Sequence, residues 1–353
     1  MKRIVKVLKW TGIVILILII LFFAVRFVGV KINSITPDGG INESMYVDIN
    51  GTKQWISIYG KDRNNPVLLY LHGGPGSSTS EFDYVITRKW ADIYTVVTWD
   101  QRNCGKSYSK EQDKTPLTRE LFMTDGREMT EFILSYMSKD KITLLGHSWG
   151  SAYGANLALE YPEYYEAFIG TGQLVDSYEN EVRIKEAAVR WAADDKEMLA
   201  LTEKLTPEKM NMEHFNARNT LMNTYGYGMM KDGSDYSLPA AIIFNPYYSL
   251  KDWVDYFSRN MNVYLDFMFS NGLADFSLKD RTNYKVPYIN INGDMDYQTN
   301  YIYAQEYFDK LEAPYKKMYI MKDTSHGLLE SKSEEFSVIL HEAAEKILKD
   351  EVE

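Results

Sequence analysis

Ser148 stands in Gly146-His147-Ser148-Trp149-Gly150, directly after the apolar run Ile142 to Leu145 and directly before a helical run from Ser151 to Glu160. A serine flanked by glycines at a strand-to-helix turn sits on a sharply bent backbone, with its hydroxyl pushed into a cleft. The N-terminus of the following helix favours negative charge developing there. Such a hydroxyl attacks a carbonyl carbon only when a base removes its proton, and histidine is the usual base. Of five histidines, His72 lies in a glycine-rich loop, His147 inside the turn, His214 in a helical stretch and His341 inside the last helix. That leaves His326, in Thr324-Ser325-His326-Gly327 after the final strand signal. The chain order serine, acid, histidine selects it too. The acid belongs in Asn292-Gly293-Asp294-Met295-Asp296-Tyr297. Asp296 is farther into the turn and better placed to fix an imidazole tautomer, while Asp294 reads as a turn cap and stands in reserve.

Attack on a carbonyl creates an oxyanion that needs hydrogen-bond donors. His72-Gly73-Gly74-Pro75-Gly76 follows the apolar run Val67 to Leu71 and offers exposed backbone N–H groups. The donors are assigned to Gly74 and Trp149, with Gly73 beside the substrate. A plain turn or a phosphate loop competes for the same glycines. A phosphate loop, however, needs the lysine and hydroxyl residue that are missing here. The single cysteine, Cys104, sits between Asn103 and Gly105 with no histidine beside it in sequence and is expected to be inert. With one cysteine no internal disulfide forms.

These groups need a scaffold that brings loops together. Val67 to Leu71, Tyr94 to Thr98 and Ile142 to Leu145 are short runs apolar on both faces, as in central strands of a parallel sheet covered by helices. Pro116 to Met137 has helical apolar spacing, and Val286 to Ile291 and Lys317 to Met321 resume the strand signal before a final amphipathic helix. Two alternating runs about Asn50-Gly51, Met45 to Asp48 and Lys53 to Tyr59, predict a hairpin. From Gly172 to Arg281 the pattern turns helical, with Thr206-Pro207-Glu208 as a helix start and with Tyr and Met supplying a small core of its own. The expected fold class is therefore α/β: a mostly parallel central sheet with helices on both faces and an inserted helical cap. The divisions are 1–31, a membrane anchor; 32–171, the first part of the α/β core; 172–282, the cap; and 283–353, the second part of the core.

The chain has 353 residues and a formal charge of -10, which argues against nucleic acid as a partner. Its N-terminus departs from that acidity. Lys2, Arg3, Lys6 and Lys9 precede an uncharged stretch from Trp10 to Val25, then Arg26 and the apolar Phe27 to Val30. At about 1.5 Å per residue, residues 10–30 match a hydrocarbon core roughly 30 Å thick if Arg26 snorkels to the interface. A cleaved signal peptide would have a shorter apolar region ending in small residues. The expectation is a single-pass anchor in the cell membrane, with the N-terminus cytoplasmic and the catalytic part outside.

The chain resembles the proline iminopeptidase group of the α/β-hydrolase superfamily. The resemblance rests on His72-Gly73-Gly74-Pro75-Gly76, on Trp99-Asp100-Gln101-Arg102-Asn103-Cys104-Gly105-Lys106-Ser107 and on Gly146 to Gly150, with Gly293 to Asp296 and Ser325-His326-Gly327. It implies a serine hydrolase with a helical cap, no metal and no cofactor, that removes N-terminal proline from short peptides. Asn103 replaces the glycine usual in the second motif, and the cap carboxylates that hold a substrate's amino group in that group are not recognisable. Glu179, Glu181 and Glu186 are the candidates, on a helix whose Arg183, Lys185 and Arg190 also suit them to ion pairs. Gln173, in Gly170-Thr171-Gly172-Gln173, is a hinge or a pocket residue. A carboxylesterase or lactonase on the same scaffold is the alternative, and a catalytically inactive surface-binding protein the remote one.

Overall fold

A computed structural model describes residues 2–231, 233–270 and 272–348. The Asn50-Gly51 hairpin forms as expected: β1 (Ile41–Ile49) pairs antiparallel with β2 (Thr52–Gly60), Ile49 opposite Thr52. Asn50 and Gly51 both take positive φ, 44° and 74°, the geometry of a tight primed turn. Six further strands follow: β3 (Val67–Leu71), β4 (Thr95–Asp100), β5 (Ile142–His147), β6 (Tyr165–Thr171), β7 (Tyr288–Gly293) and β8 (Lys316–Met321). They build one 8-stranded sheet in the order β1-β2-β4-β3-β5-β6-β7-β8. Every neighbouring pair from β4 onward in that order is parallel.

The sheet is covered on both faces, which is why its strands are apolar throughout. In β3, Val67, Leu69 and Leu71 enter one core with Phe122, Met129 and Ile133 of the helix Arg119–Met137. The alternate residues Leu68 and Tyr70 enter the other, with Trp90 and with Phe336 and Leu340 of the helix Ser333–Leu348. That two-sided burial gives a parallel sheet its continuous hydrophobic runs.

Several boundaries differ from the sequence expectation. The first helix continues to Asn33, two residues past the expected end of the anchor, and β1 begins at Ile41. Arg119–Met137 starts after Pro116 because the Thr118 side chain accepts from the Leu121 N–H and caps it. Strand β6 carries no expectation at all. Thr206-Pro207-Glu208 does not open a helix: Lys209 N–H donates back to Thr206 O in a turn, and the next helix, Met212–Thr224, is capped by Asn211.

Between β6 and β7 the described residues form helices, beginning with Ser177–Trp191. Their separate core is built from Ala188, Leu205, Ala217 and Leu221 with Trp191 and Met198 at its edge. Tyr264 and Phe267, by contrast, pack into the main core, where Phe267 meets Trp149 and Phe122 with ring centroids 5.3 and 5.1 Å apart. Tyr264 and Phe267 therefore tie the insertion to the sheet domain.

Candidate active site

Strands β3, β4, β5, β7 and β8 all end at the same edge of the sheet, and the loops leaving them carry the singled-out residues. Ligand sites of open parallel sheets form at that carboxyl edge. At the end of β5, Ser148 has φ 56° and ψ −120°, and its N–H donates to Thr171 O at 2.9 Å. A non-glycine residue in that region is strained, and the strain exposes the side chain above the helix Trp149–Glu160. The flanking glycines are needed for clearance: a Cβ on Gly146 would lie 2.1 Å from Gly150 O, and one on Gly150 would lie 2.0 Å from Leu71 O.

The loops after β7 and β8 bring Asp296 and His326 together. Asp296 Oδ2 lies 2.8 Å from His326 Nδ1, and both side chains are buried. The same carboxylate accepts from Thr299 N–H at 3.0 Å and from Thr299 Oγ1 at 3.1 Å. An Nδ1–H pointed at a carboxylate leaves Nε2 of a neutral imidazole free to accept a proton. Asp294 instead spans the two loops, accepting from Thr324 N–H at 3.4 Å and pairing with Lys322 at 3.4 Å.

The imidazole faces the elbow. A Cβ on Gly172 would come 2.9 Å from His326 Cε1 and 3.3 Å from His147 Cε1, so this position at φ 52° leaves room for the ring. The His147 ring lies beside His326 at a centroid distance of 4.8 Å. Burial, then the charge His326 takes on when protonated, holds the His147 pKa well below the usual imidazole range. His147 therefore favours its neutral form. On the other side of the elbow, a Cβ on Gly73 would lie 3.0 Å from Ser148 Cβ. The N–H groups of Gly74 and Trp149 donate to no protein acceptor among the described residues. Trp149 is the first residue of its helix, where N–H groups have no partner within the helix.

The Trp99 to Ser107 segment supports this loop from behind. Gln101 Nε2 donates to His72 O at 3.0 Å, Gln101 N–H donates to His72 Nε2 at 3.3 Å, and Gln101 Oε1 accepts from Trp149 Nε1 at 3.0 Å. One side chain thereby joins the loop after β3 to the residue after Ser148. His72 is buried, which lowers its pKa to about 4 and keeps Nε2 an acceptor. The expectation that Cys104 has no histidine near it needs correction, since its Sγ lies 3.3 Å from His72 Nε2. The two are remote in sequence and meet through the β3 and β4 loops. Burial, then the Asp100 charge, pushes the pKa of this thiol well up, which disfavours the thiolate.

Two of the three candidate cap carboxylates, Glu179 and Glu181, are engaged in ion pairs. Glu179 accepts from Arg183 Nε at 2.9 Å, and Arg183 reaches on to Glu306 at 2.8 Å. Glu181 is buried between His214 Nε2, 2.9 Å away, and Arg218 Nε, 3.2 Å away. Glu186 is exposed. Gln173 is wholly buried, its Oε1 accepting from Tyr288 at 2.9 Å and its Nε2 donating to Leu174 O. Among the described residues no group of three or more His, Cys, Asp or Glu is arranged to hold a metal.

Residues 66–333 match the family model of the alpha/beta hydrolase fold. The chain belongs to this family. The hydrolase is 30% identical over 299 residues to "Probable aminopeptidase YbaC" of Bacillus subtilis, a match covering 79% of this chain and 89% of the relative. It is 33% identical over 130 residues to a proline iminopeptidase of Saccharolobus solfataricus, covering 36% of this chain and 39% of that one. The crystal structure of a proline iminopeptidase-related protein from Thermus thermophilus superposes with a TM-score of 0.62 at 20% identity, covering 87% of the hydrolase and 98% of that chain. The hydrolase is thus proline iminopeptidase-like.

Residues that support the site without a motif of their own escape a sequence reading. Thr299, bonded to Asp296 and 3.3 Å from His326 Nδ1, is one. Its only signal is a hydroxyl three residues after a candidate acid. Gln101 had a stronger signal, lying inside a recognised motif, but its partners come from other loops.

Proposed function

We propose that the protein is a membrane-anchored serine hydrolase of the proline iminopeptidase type, an aminopeptidase acting on short peptides. The buried His326–Asp296 pair, 2.8 Å apart beside a strained Ser148, is the observation that carries the reading. His326 Nε2 takes the Ser148 proton as Oγ bonds to the carbonyl carbon. The resulting oxyanion is held by the free N–H groups of Gly74 and Trp149. Collapse of the tetrahedral adduct breaks the bond to the leaving amine, which receives the proton from His326. Water, deprotonated by the same ring, then releases the acyl group and restores Ser148. Asp296 holds the tautomer throughout and stabilises the imidazolium. Gly73 lines the attack site, and Gln173 supports it from the core side.

The sequence similarity to a named aminopeptidase and to a proline iminopeptidase supports amide cleavage. The pairing of Glu179 and Glu181 with arginines favours a second reading, a carboxylesterase or lactonase, because a substrate ammonium would find those carboxylates already occupied. The helix residues 3–33, with mean hydropathy 3.1 over its most apolar window and none of that window buried, supports the anchor. The four basic residues before Trp10, against only Arg26 and Lys31 after the uncharged stretch, support placement of the hydrolase domain outside the cytoplasm.

The test is labelling of the purified full chain by a fluorophosphonate, together with turnover of proline p-nitroanilide and of short-chain p-nitrophenyl esters. Ser148→Ala should abolish labelling and lower kcat by about a millionfold. Unchanged labelling in Ser148→Ala would remove the nucleophile assignment. Ester turnover without anilide turnover would select the second reading.

A further inference from the structure

The helix Leu250–Ser258 is amphipathic in the reverse sense to a helix of a water-soluble domain. Two of its polar residues face the protein, Asp252 pairing with Lys106 at 2.9 Å and Tyr256 donating to Glu81 at 2.7 Å, while Lys251 and Asp255 pair with each other at its flank. Its apolar side faces out. Leu250, Val254 and Phe257 follow one another at helical spacing and are 60%, 66% and 81% exposed. Trp253 extends the same stripe, which is about 100° wide on a 3.6-residue repeat. A free surface in water has no reason to present such a row beside an inward-turned aspartate.

The position of this helix relative to the N-terminal one says what covers it. Arg26 Nη2 donates to Tyr248 O at 2.7 Å, and Asn33 Nδ2 donates to Phe244 O at 2.9 Å. Gly29 lies against the Phe244 ring, where a Cβ would come within 2.3 Å. Arg26 is the first charge after the uncharged stretch from Trp10, and its snorkelling head group marks the level of the interface. Tyr248, two residues before Leu250, is tied to that level. The apolar stripe therefore begins where the bilayer surface begins.

We propose that the helix Leu250–Ser258 lies in the interfacial layer of the same bilayer that the N-terminal helix crosses, with Leu250, Trp253, Val254 and Phe257 inserted about 5–10 Å among the headgroups and upper acyl chains. The proposal rests on the anchor reading given above. Its consequence reaches the site. Tyr256 binds Glu81, Tyr248 lies 2.8 Å from Ser80, and Tyr264 packs on Gly76. Through Tyr256 the seated helix thus sets the height above the membrane of Glu81, in the loop after β3 that also carries Gly74.

Three variants of the full chain, each with one introduced cysteine labelled by an environment-sensitive fluorophore and reconstituted in phosphatidylcholine vesicles carrying shallow or deep nitroxide lipids, test this. Cys104 is wholly buried, so unsubstituted protein controls for background labelling. Ile17→Cys reports the anchor, Phe257→Cys the proposed contact, and Val338→Cys, on the exposed face of the last helix, serves as the distant control. The expected result is loss of most Phe257→Cys emission with shallow nitroxides, loss of Ile17→Cys emission with deep ones, and no loss at Val338→Cys. Quenching at Ile17→Cys with none at Phe257→Cys overturns the docking and leaves the anchor standing. No quenching at Ile17→Cys overturns both. Val254→Cys repeats the reading if Phe257→Cys fails to fold.

Discussion

At the scale of single residues, the site depends on groups that fix an imidazole. Asp296 is wholly buried, and its carboxylate has three hydrogen-bond contacts, two from Thr299 and one with His326. An amide in its place keeps the shape but can present its NH₂ group to Nδ1, which stabilises the wrong tautomer. Asp296→Asn is therefore expected to lower kcat by about ten thousandfold with little change in KM, measured as steady-state turnover against the unsubstituted enzyme. Ser148, His326 and the Asp294/Asp296 pair were legible in the sequence because each follows a strand signal in the order such chemistry requires. Thr299, the approach of His147 to His326 and the contact of Cys104 with His72 were not, because each joins residues that meet only through neighbouring loops.

Among the elements, the hairpin, the β4 loop and the helix Arg119–Met137 are joined by one buried ion pair. Arg102 makes two bonds to Asp125, at 2.7 and 2.6 Å, and Gln54 and Asn50 complete the carboxylate's contacts at 3.0 and 2.9 Å. Removing only the cation leaves Asp125 buried without its charge partner. Arg102→Met should destabilise the fold by about 3–5 kcal/mol, and the double variant Arg102→Met/Asp125→Leu should recover most of that loss. Denaturant midpoints of the two variants check it; equal midpoints would mean the pair carries no such strain. The strand positions of this part were readable from apolar runs, whereas this polar junction was not, since Arg102 was visible only as part of a motif and Asp125 as one polar residue in a helix.

For the whole molecule, acidic groups buried beneath the insertion couple stability to pH. Burial raises the Glu81 pKa from 4.5 to about 7, despite hydrogen bonds from Tyr256 and Ser78 that favour the ionised form. Burial likewise raises that of Asp100 from 3.8 to about 7. The folded state therefore binds protons that the unfolded chain has released. Stability from these groups is fully present below the unfolded values and declines as pH rises to about 7, levelling off above. For Glu81 alone the decline is at most about 3 kcal/mol. Glu81→Gln should flatten the fall in Tm between about pH 4.5 and 7 without abolishing it, because Asp100 still titrates. A steeper fall in the variant would contradict the assignment.

The amino-acid sequence by itself determined the fold class, the elbow serine, the histidine and its candidate acids, and the apolar N-terminal helix, since each is written in local spacing: apolar runs set strands, glycines set turns and uncharged length sets a membrane-scale helix. Only the tertiary structure decided which aspartate meets His326, how Gln101 joins the loop after β3 to Trp149, and that Glu179 and Glu181 are already paired. It also decided that Leu250, Val254 and Phe257 point outward beside the end of the N-terminal helix. Periodicity shows that a helix has an apolar face. Which way that face turns depends on what the opposite face binds, here Lys106 and Glu81, residues more than a hundred positions away in the chain.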